Sequence, residues 1–271
     1  MLINRFLQRS SEKSRGNTLS LSEILTNQEQ ESHRDLHTLI IVGGHALYLG
    51  QDPYSEDSWK GGFPGEGRFY REHADYAVQI AARIPGALLV FSGGPTRTDA
   101  VLAESQSYFN LQEDLGWQGH YDVRERTATE ERARDSLENL KFSIDLFRSL
   151  VGHDPFRVYA LGWEFKRARW NMHAADLRVQ NFEYIGVNNP SGSLEDKTSP
   201  LSIAARKEQE TVELFRRYPL GDCDELEAKR RARNPHLLIR TGTDNYRTNR
   251  TTDHSHGSHA SRIPRQRVKV Y

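Results

Sequence analysis

The sequence predicts an α/β fold: a doubly wound, mainly parallel five-stranded sheet with helices on both faces. Strand-like and helix-like runs alternate along the chain from about residue 36 to residue 231. The strand-like runs are short and mostly apolar rather than alternating, which is typical of strands buried on both faces. Glycine and proline residues separate them from the helical segments. This order favours a parallel sheet with right-handed crossovers, which is a Rossmann-like arrangement.

The individual elements follow from apolar runs and from the residues that interrupt them. Each helix is recognised by apolar residues at i, i+3 and i+4 spacing, and turns by glycine and proline. Strands are expected at residues 37–42, 87–91, about 121–124, 156–161 and 182–187. Helices are expected at about 69–84, from Thr98 or Asp99 to about 115, from Thr127 or Thr129 through 147, at about 164–175 and at about 201–218.

Three regions are distinguished along the 271 residues. Residues 1–35 form a polar N-terminal arm with a candidate helix at about 19–30, and residues 36–231 form the Rossmann-like α/β domain. Residues 232–271 form a basic, low-complexity tail that is expected to be disordered, because its apolar periodicity fades. The tail histidines His254, His256 and His259 could hold a metal weakly, but a solvated tail with no fixed second shell is favoured, so no metal site is predicted.

Composition excludes several classes of function. Lys plus Arg and Asp plus Glu number 37 each, so no net field attracts nucleic acid, and the tail has few aromatic residues for stacking on bases. No apolar run approaches the roughly 20 residues of a membrane span. The single cysteine, Cys223, fits a reducing compartment. We expect a cytoplasmic protein, with mitochondrial import as a minor alternative because the first ten residues include arginine and serine.

Candidate ligand-binding residues lie where the predicted strands end. Ligands of open α/β sheets bind outside the carboxyl ends of the strands, where helix N-termini point their amides inward. Paired glycines let backbone amides approach an anion, and cations at a helix start oppose the helix dipole unless they face one. We therefore expect a small anionic ligand. The residues predicted to bind it are Gly43, Gly44, Ser92, Gly93, Gly94, Arg126, Ser136, Asn139, Lys166 and Arg167.

Each of these features has a purely structural alternative. Glycine after a strand is ordinary turn chemistry. Lys166, Arg167 and Arg169 could form a solvated basic face, and Glu130 with Arg134 could belong to a charged surface. Two glycine turns at corresponding places favour the binding interpretation over the structural one.

Four segments between residues 37 and 190 occur in an order shared with a known family. They are Ile40-Ile41-Val42-Gly43-Gly44; Phe91-Ser92-Gly93-Gly94 with Glu104 in the next helix; Ala133-Arg134-Asp135-Ser136-Leu137-Glu138-Asn139; and Gly162-Trp163-Glu164-Phe165-Lys166-Arg167-Ala168. Together they resemble the YdcF/SanA-like family of domains of unknown function. The resemblance implies a Rossmann-like fold with an enzymatic role, and S-adenosylmethionine is among the ligands suggested for the family. It points to Gly43, Gly44, Ser92, Gly93, Gly94, Glu104, Ser136, Glu138 and Asn139 as pocket residues.

The chain departs from this family pattern in two places. Bacterial members often place a Tyr-His pair and then an Arg near the turn after the fourth strand, whereas Phe165 and Lys166 precede Arg167 here. A role that needs an imidazole at that turn is therefore not expected. Ser92 stands where ribose-binding folds commonly place an acidic residue, so methyl transfer is not expected even if S-adenosylmethionine binds.

The favoured hypothesis is an enzyme that acts on a nucleotide-like or phosphorylated small molecule. Glu104 and Glu138 are the catalytic acid–base candidates, and Lys166 and Arg167 would hold the anion. Standard kinase, dehydrogenase, esterase and zinc-protease motifs are absent from the sequence. Two alternatives stay open: a non-catalytic ligand sensor, and an interaction scaffold whose basic tail contacts an acidic partner or RNA. No oligomeric state is predicted.

Overall fold

The computed structural model describes residues 35–95 and 102–233. The strands are Thr38–Gly43 (β1), Leu47–Tyr48 (β2), Trp59–Lys60 (β3), Ala87–Ser92 (β4), Thr127–Glu130 (β5), Arg157–Trp163 (β6) and Phe182–Asn188 (β7). The helices are Gly67–Arg83 (α1), Glu104–Asp114 (α2), Tyr121–Glu125 (α3), Ser136–Val151 (α4), Arg167–Asp176 (α5), Pro200–Arg217 (α6) and Asp224–Arg233 (α7). The predicted helix at 19–30, the candidate caps Thr98 and Asp99, and tail residues 234–271 lie outside the described residues.

Five of the strands form one parallel sheet in the order β5-β4-β1-β6-β7. The predicted α/β fold with a five-stranded parallel sheet is confirmed. From β1 the chain first builds outward through β4 and β5, then returns to the other side of β1 for β6 and β7. The strand order therefore reverses between β1 and β6. In open α/β sheets the carboxyl edge at such a switch point is where ligands bind.

Both faces of the sheet are covered, which explains the continuous apolar runs. All six residues of β1 are buried. Leu39 and Ile41 pack into a cluster with residues of α4 and α5, whereas Ile40 and Val42 pack with residues of α1 and α2 on the opposite face. Successive side chains of a strand point to opposite faces, so a strand between two helical layers has no polar side.

The third predicted strand is wrong, and this error changes one part of the site. Residues 121–124 are helical, and the strand is Thr127–Glu130, whose four residues are all buried beside β4. The following helix therefore does not begin at Thr127 or Thr129. It begins at Ser136, and Asp135 is the N-cap, because its carboxylate accepts a hydrogen bond of 2.9 Å from the Glu138 backbone N–H.

Two further features were not predicted in detail. The loop after β1 contains the short antiparallel pair β2–β3, which brings Gly61, Gly62 and Phe63 to the carboxyl edge of the sheet. Helix α7 runs through Arg233, two residues beyond the predicted end of the domain at 231. None of the helices in the described part of the chain is long and apolar enough to cross a membrane.

Candidate functional site

A cavity of about 360 Å³ opens at the carboxyl edge of the sheet, at the switch point between β1 and β6. The segment after β1, the β2–β3 pair, the first residue of α2, the loop before α4 and the turn after β6 all contribute to its lining. Six of the predicted site residues line this cavity. They are Gly44, Gly93, Glu104, Ser136, Asn139 and Lys166.

The glycine turns do not present their amides to the cavity, contrary to the sequence-based expectation. The Gly44 N–H donates to the Ser92 carbonyl at 2.8 Å, and the Gly93 N–H donates to the Glu130 carbonyl at 2.9 Å. The Gly94 N–H donates to the Ala133 carbonyl at 2.8 Å. These three amides hold neighbouring strand ends together. Each N–H group already donates to a backbone carbonyl, so the predicted anion-binding role for these amides is wrong.

The glycines instead make room for a carboxylate. A Cβ on Gly44 would lie 2.5 Å from Cβ and 2.6 Å from Oε2 of Glu104, which is too close for any other residue. Gly93 has a φ of +147°, and a Cβ there would lie 3.2 Å from Glu104 Oε2. Gly44, Gly93 and Glu104 are called the carboxylate wall below. Glu104 is the first residue of α2, where a negative charge interacts favourably with the helix dipole.

Ser92 and Asn139 adjoin this wall, and only Asn139 of the two lines the cavity. The Ser92 hydroxyl is fully buried and lies 2.8 Å from Glu130 Oε2 and 3.0 Å from Asn139 Oδ1. A Cβ on Gly43 would lie 2.9 Å from Asn139 Nδ2, so Gly43 also makes room for a side chain. Glu130 is buried, which raises its pKa, although the backbone N–H groups of Arg132 and Ala133 donate to it. It is not the surface residue that the alternative interpretation proposed.

Lys166 and Arg169 also line the cavity and are called the basic wall below. The Lys166 ammonium lies 3.1 Å from Nδ1 of His45, a contact that crosses the switch point between β1 and β6. Burial is the main cause that lowers the pKa of Lys166, to about 7, and the Arg169 guanidinium adds to it. Among the described residues, Lys166 makes no ion pair with a carboxylate.

The surroundings of His45 favour its neutral form, whose ring nitrogen can accept a hydrogen bond from this ammonium. Burial first and Lys166 second lower the pKa of His45 well below its usual value. Its ring lies among those of Tyr70, His73 and Trp163, with centroids 5.6–6.3 Å away. The Tyr70 hydroxyl in turn accepts from the Phe63 N–H at 2.8 Å, which ties the segment after β3 to α1.

Arg169 is held by a buried ion pair. Its Nε and Nη2 donate to the two carboxylate oxygens of Glu208, each at 2.7 Å, and both residues are 8% exposed. Its Nη1 donates to the Ser136 hydroxyl at 2.6 Å, and Nε2 of His173 lies 2.8 Å from the same oxygen. The charge of Arg169 is therefore balanced within the protein, whereas that of Lys166 is not.

Arg126 was predicted at this edge and lies at the other one. Its guanidinium donates to the carbonyls of Ala81, Ile84 and Ala87, next to the start of β4. Arg126 precedes β5 rather than following a strand, so it belongs to the amino edge of the sheet. The misplaced third strand is the cause of this error.

Five other predicted site residues do not line the cavity, and the side chains of two of them have partners elsewhere. Arg167 turns outward, with a side chain that is 44% exposed and paired with Glu164 at 2.6 Å. Glu138 is buried, and it accepts from Arg134 at 2.6 Å and lies 3.5 Å from Arg230. Gly43, Ser92 and Gly94 lie behind the lining, as described above.

Two residues that line the cavity, His45 and Arg169, were not among those predicted to bind the ligand. His45 directly follows the first glycine turn, so its position after a strand was the available signal. Arg169 was treated as equally consistent with a solvated face, and its partner Glu208 lies 39 residues further along the chain. Glu208 lies within α6, so the expectation that ligands bind at the ends of strands did not point to it. No group of three or more His, Cys, Asp or Glu in the described ranges could hold a metal ion.

The fold and this site define an α/β protein with a partly basic cavity at the carboxyl edge of a parallel sheet. The chain is 24% identical over 206 residues to an uncharacterized protein of Saccharomyces cerevisiae, YOR238W. The matched region covers 60% of this chain and 68% of the yeast protein. No protein-family model matches the chain. No solved structure matches it either.

Proposed function

We propose that the cavity binds a small anionic, nucleotide-like ligand, and that the protein is an enzyme of the YdcF/SanA-like type that acts on it. The observation that carries this proposal is Lys166: a partly buried ammonium in the cavity, beside a neutral imidazole and without a carboxylate partner among the described residues. A buried charge is costly unless it is paired. An anionic ligand would supply the missing partner.

The remaining lining suits the organic part of such a ligand. Trp163 and Phe165 have ring centroids 6.2 Å apart in a stacked arrangement, and Phe63 and Trp170 also line the cavity. Aromatic surfaces of this kind bind planar bases by stacking. S-adenosylmethionine, which the family resemblance suggests, carries a sulfonium cation, and the basic wall does not favour that group.

The proposed chemistry is proton transfer between the two walls of the cavity. Glu104 is the acid–base candidate on the carboxylate wall, and its charge stabilises the ammonium form of Lys166 on the basic wall. A lysine with a pKa of about 7 can hold or release a proton near neutral pH. Glu138, the other candidate, is held by two arginines and has no part in this proposal.

Calorimetric titration of the full chain tests the binding proposal. Probes are AMP, ATP, fructose 6-phosphate, inorganic phosphate and S-adenosylmethionine, each with and without Mg²⁺. We expect a phosphorylated probe to bind, and Lys166→Met to weaken it about tenfold or more, since a hydrogen bond between charged groups contributes about 1.5–3 kcal/mol. The exposed Lys197, which lies outside the cavity, gives the matched control Lys197→Met. Equal affinities in wild type and Lys166→Met would overturn the proposal.

A second measurement separates an enzyme from a sensor. The probe that binds is incubated with wild type and with Glu104→Gln, and products are followed by mass spectrometry. Turnover that is lost in Glu104→Gln, while binding is retained, supports the enzyme. Tight binding without turnover in wild type would favour the alternative of a non-catalytic ligand sensor.

A further inference from the structure

A second cavity, of about 290 Å³, continues from the first beyond the basic wall. The two cavities share six lining residues: Phe63, Asp135, Phe165, Lys166, Arg169 and Arg233. They therefore form two chambers of one cleft, and Phe63 and Phe165 lie where the chambers meet. Helices α6 and α7 contribute all eight residues that line the second chamber alone.

The second chamber is strongly basic. Its lining includes six Lys or Arg residues and two carboxylates, Asp135 and Glu208. Both carboxylates are already paired, because Glu208 binds Arg169 at 2.7 Å and Asp135 binds Arg230 at 2.7 Å. Each of these two ion pairs is neutral, so the other four cations of the chamber have no free carboxylate among the residues that line it.

Four cations remain after the two ion pairs are set aside: Lys166, Lys207, Lys229 and Arg233. Lys207 is exposed at the rim and makes no ion pair within the described ranges. Lys229 makes a long ion pair, at 3.9 Å, with the exposed Glu225. Arg233 donates to the Arg134 carbonyl at 2.7 Å, so its position is set by a neutral group. A cleft lined by charges of one sign focuses the field on its ligand.

The floor of this chamber is apolar. Phe215 and Leu226 are buried there and pack against Leu137 of α4. A purely inorganic anion would gain nothing from such a floor, whereas the carbon skeleton of an organic anion would lose water-exposed apolar surface on it. The chamber thus combines an apolar surface with four cations that no carboxylate of its own lining neutralises.

We propose that the ligand of this protein carries two separate phosphate-type anions on one organic skeleton. One anion pairs with Lys166 in the first chamber, and the other pairs with Lys207 and Lys229 at the rim of the second. The skeleton passes Phe63 and Phe165. This inference rests on the proposed function, because it uses the same cleft and assigns its second half.

The experiment compares two matched pairs of probes by calorimetric titration of the full chain. The pairs are AMP with adenosine 3′,5′-bisphosphate, and fructose 6-phosphate with fructose 1,6-bisphosphate. The variant is Lys207→Gln/Lys229→Gln, whose two side chains are exposed and whose fold is checked by its Tm. The control is Lys141→Gln/Lys197→Gln, which removes two exposed lysines that line neither chamber.

We expect one bisphosphate to bind at least about tenfold tighter than its monophosphate, an advantage that Lys207→Gln/Lys229→Gln removes and the control keeps. Monophosphate affinity should be unchanged in both variants. If monophosphates bind through Lys166 but neither bisphosphate binds more tightly, the second anion site is wrong and the proposed function stands. A bisphosphate advantage that survives in Lys207→Gln/Lys229→Gln also overturns the site. If no probe binds wild type, the proposed function itself fails.

Discussion

The carboxylate wall and the basic wall face the same cavity but are built in different ways. Gly44 and Gly93 of the carboxylate wall are fixed through backbone hydrogen bonds between adjacent strand ends. Lys166 and Arg169 of the basic wall are side chains at the start of α5, and Arg169 depends on Glu208 from α6. One wall is thus set by backbone geometry and the other by charge balance, so the two should respond to different substitutions.

The largest expected effect comes from breaking the charge balance of the basic wall. Arg169→Met leaves the Glu208 carboxylate buried without a partner, and we expect it to lower the free energy of unfolding by about 3–5 kcal/mol. Urea denaturation measures this change. The double variant Arg169→Met/Glu208→Met should lose less than Arg169→Met alone, because no unpaired charge is left. A double variant at least as unstable as Arg169→Met would argue against the ion pair described here.

A smaller effect is expected from crowding the carboxylate wall. The new Cβ in Gly44→Ala would meet Glu104 at 2.5 Å, and overpacking of this kind costs about 1–3 kcal/mol of unfolding free energy. The same substitution in a Glu104→Gly background should cost clearly less, because the obstructing side chain is gone. Equal costs in the two backgrounds, measured by urea denaturation, would show that Glu104 is not the neighbour that requires glycine.

Lys166 should make the free protein less stable at neutral pH. We expect Lys166→Met to raise the free energy of unfolding by about 0.5–2 kcal/mol at pH 7, because a partly buried ammonium beside Arg169 is removed. The pKa of Lys166 is lowered to about 7 in the folded chain and is about 10.4 in an unfolded one. Between these values the unfolded chain binds more protons, so wild-type stability rises with pH.

The advantage of Lys166→Met should therefore be largest below pH 7 and shrink towards pH 10. Thermal or urea unfolding of both proteins across this pH range measures the difference in their unfolding free energies. The other titrating groups contribute equally to both proteins, so their contribution cancels in this difference. An advantage that does not change with pH would contradict the lowered pKa of Lys166.

The smallest effect is expected at the neighbouring Arg167. Its ion pair with Glu164 is on the surface, where such pairs contribute about 0–1 kcal/mol. We expect Arg167→Ala to leave ligand affinity in the cavity unchanged and to lower the unfolding free energy by less than about 1 kcal/mol. Calorimetric titration with the probe that Lys166→Met weakens is the measurement. If Arg167→Ala loses as much affinity as Lys166→Met, the Arg167 side chain contacts the ligand, which its outward position does not allow.

Local signals predicted the sheet well and the site only in part. Buried runs such as Leu39–Val42 and stops such as Gly43–Gly44 locate strands because burial and turn geometry depend on adjacent residues. The strand Thr127–Glu130 was missed because two of its four residues are threonines, which also serve as helix caps, and because Glu130 is charged. Pairing with β4 and hydrogen bonds to the buried Glu130 carboxylate stabilise the strand despite these local signals.

The sequence by itself determined the α/β fold, the glycine turns at the strand ends and the position of Lys166 after the fourth predicted strand. Only the tertiary structure decided what the turns do: their amides bond to neighbouring strands, and their missing side chains admit Glu104. It also decided which cations are balanced, since Arg169 pairs across 39 residues and Arg230 across 95. Charge compensation depends on distance in space, which residue spacing along a chain does not encode.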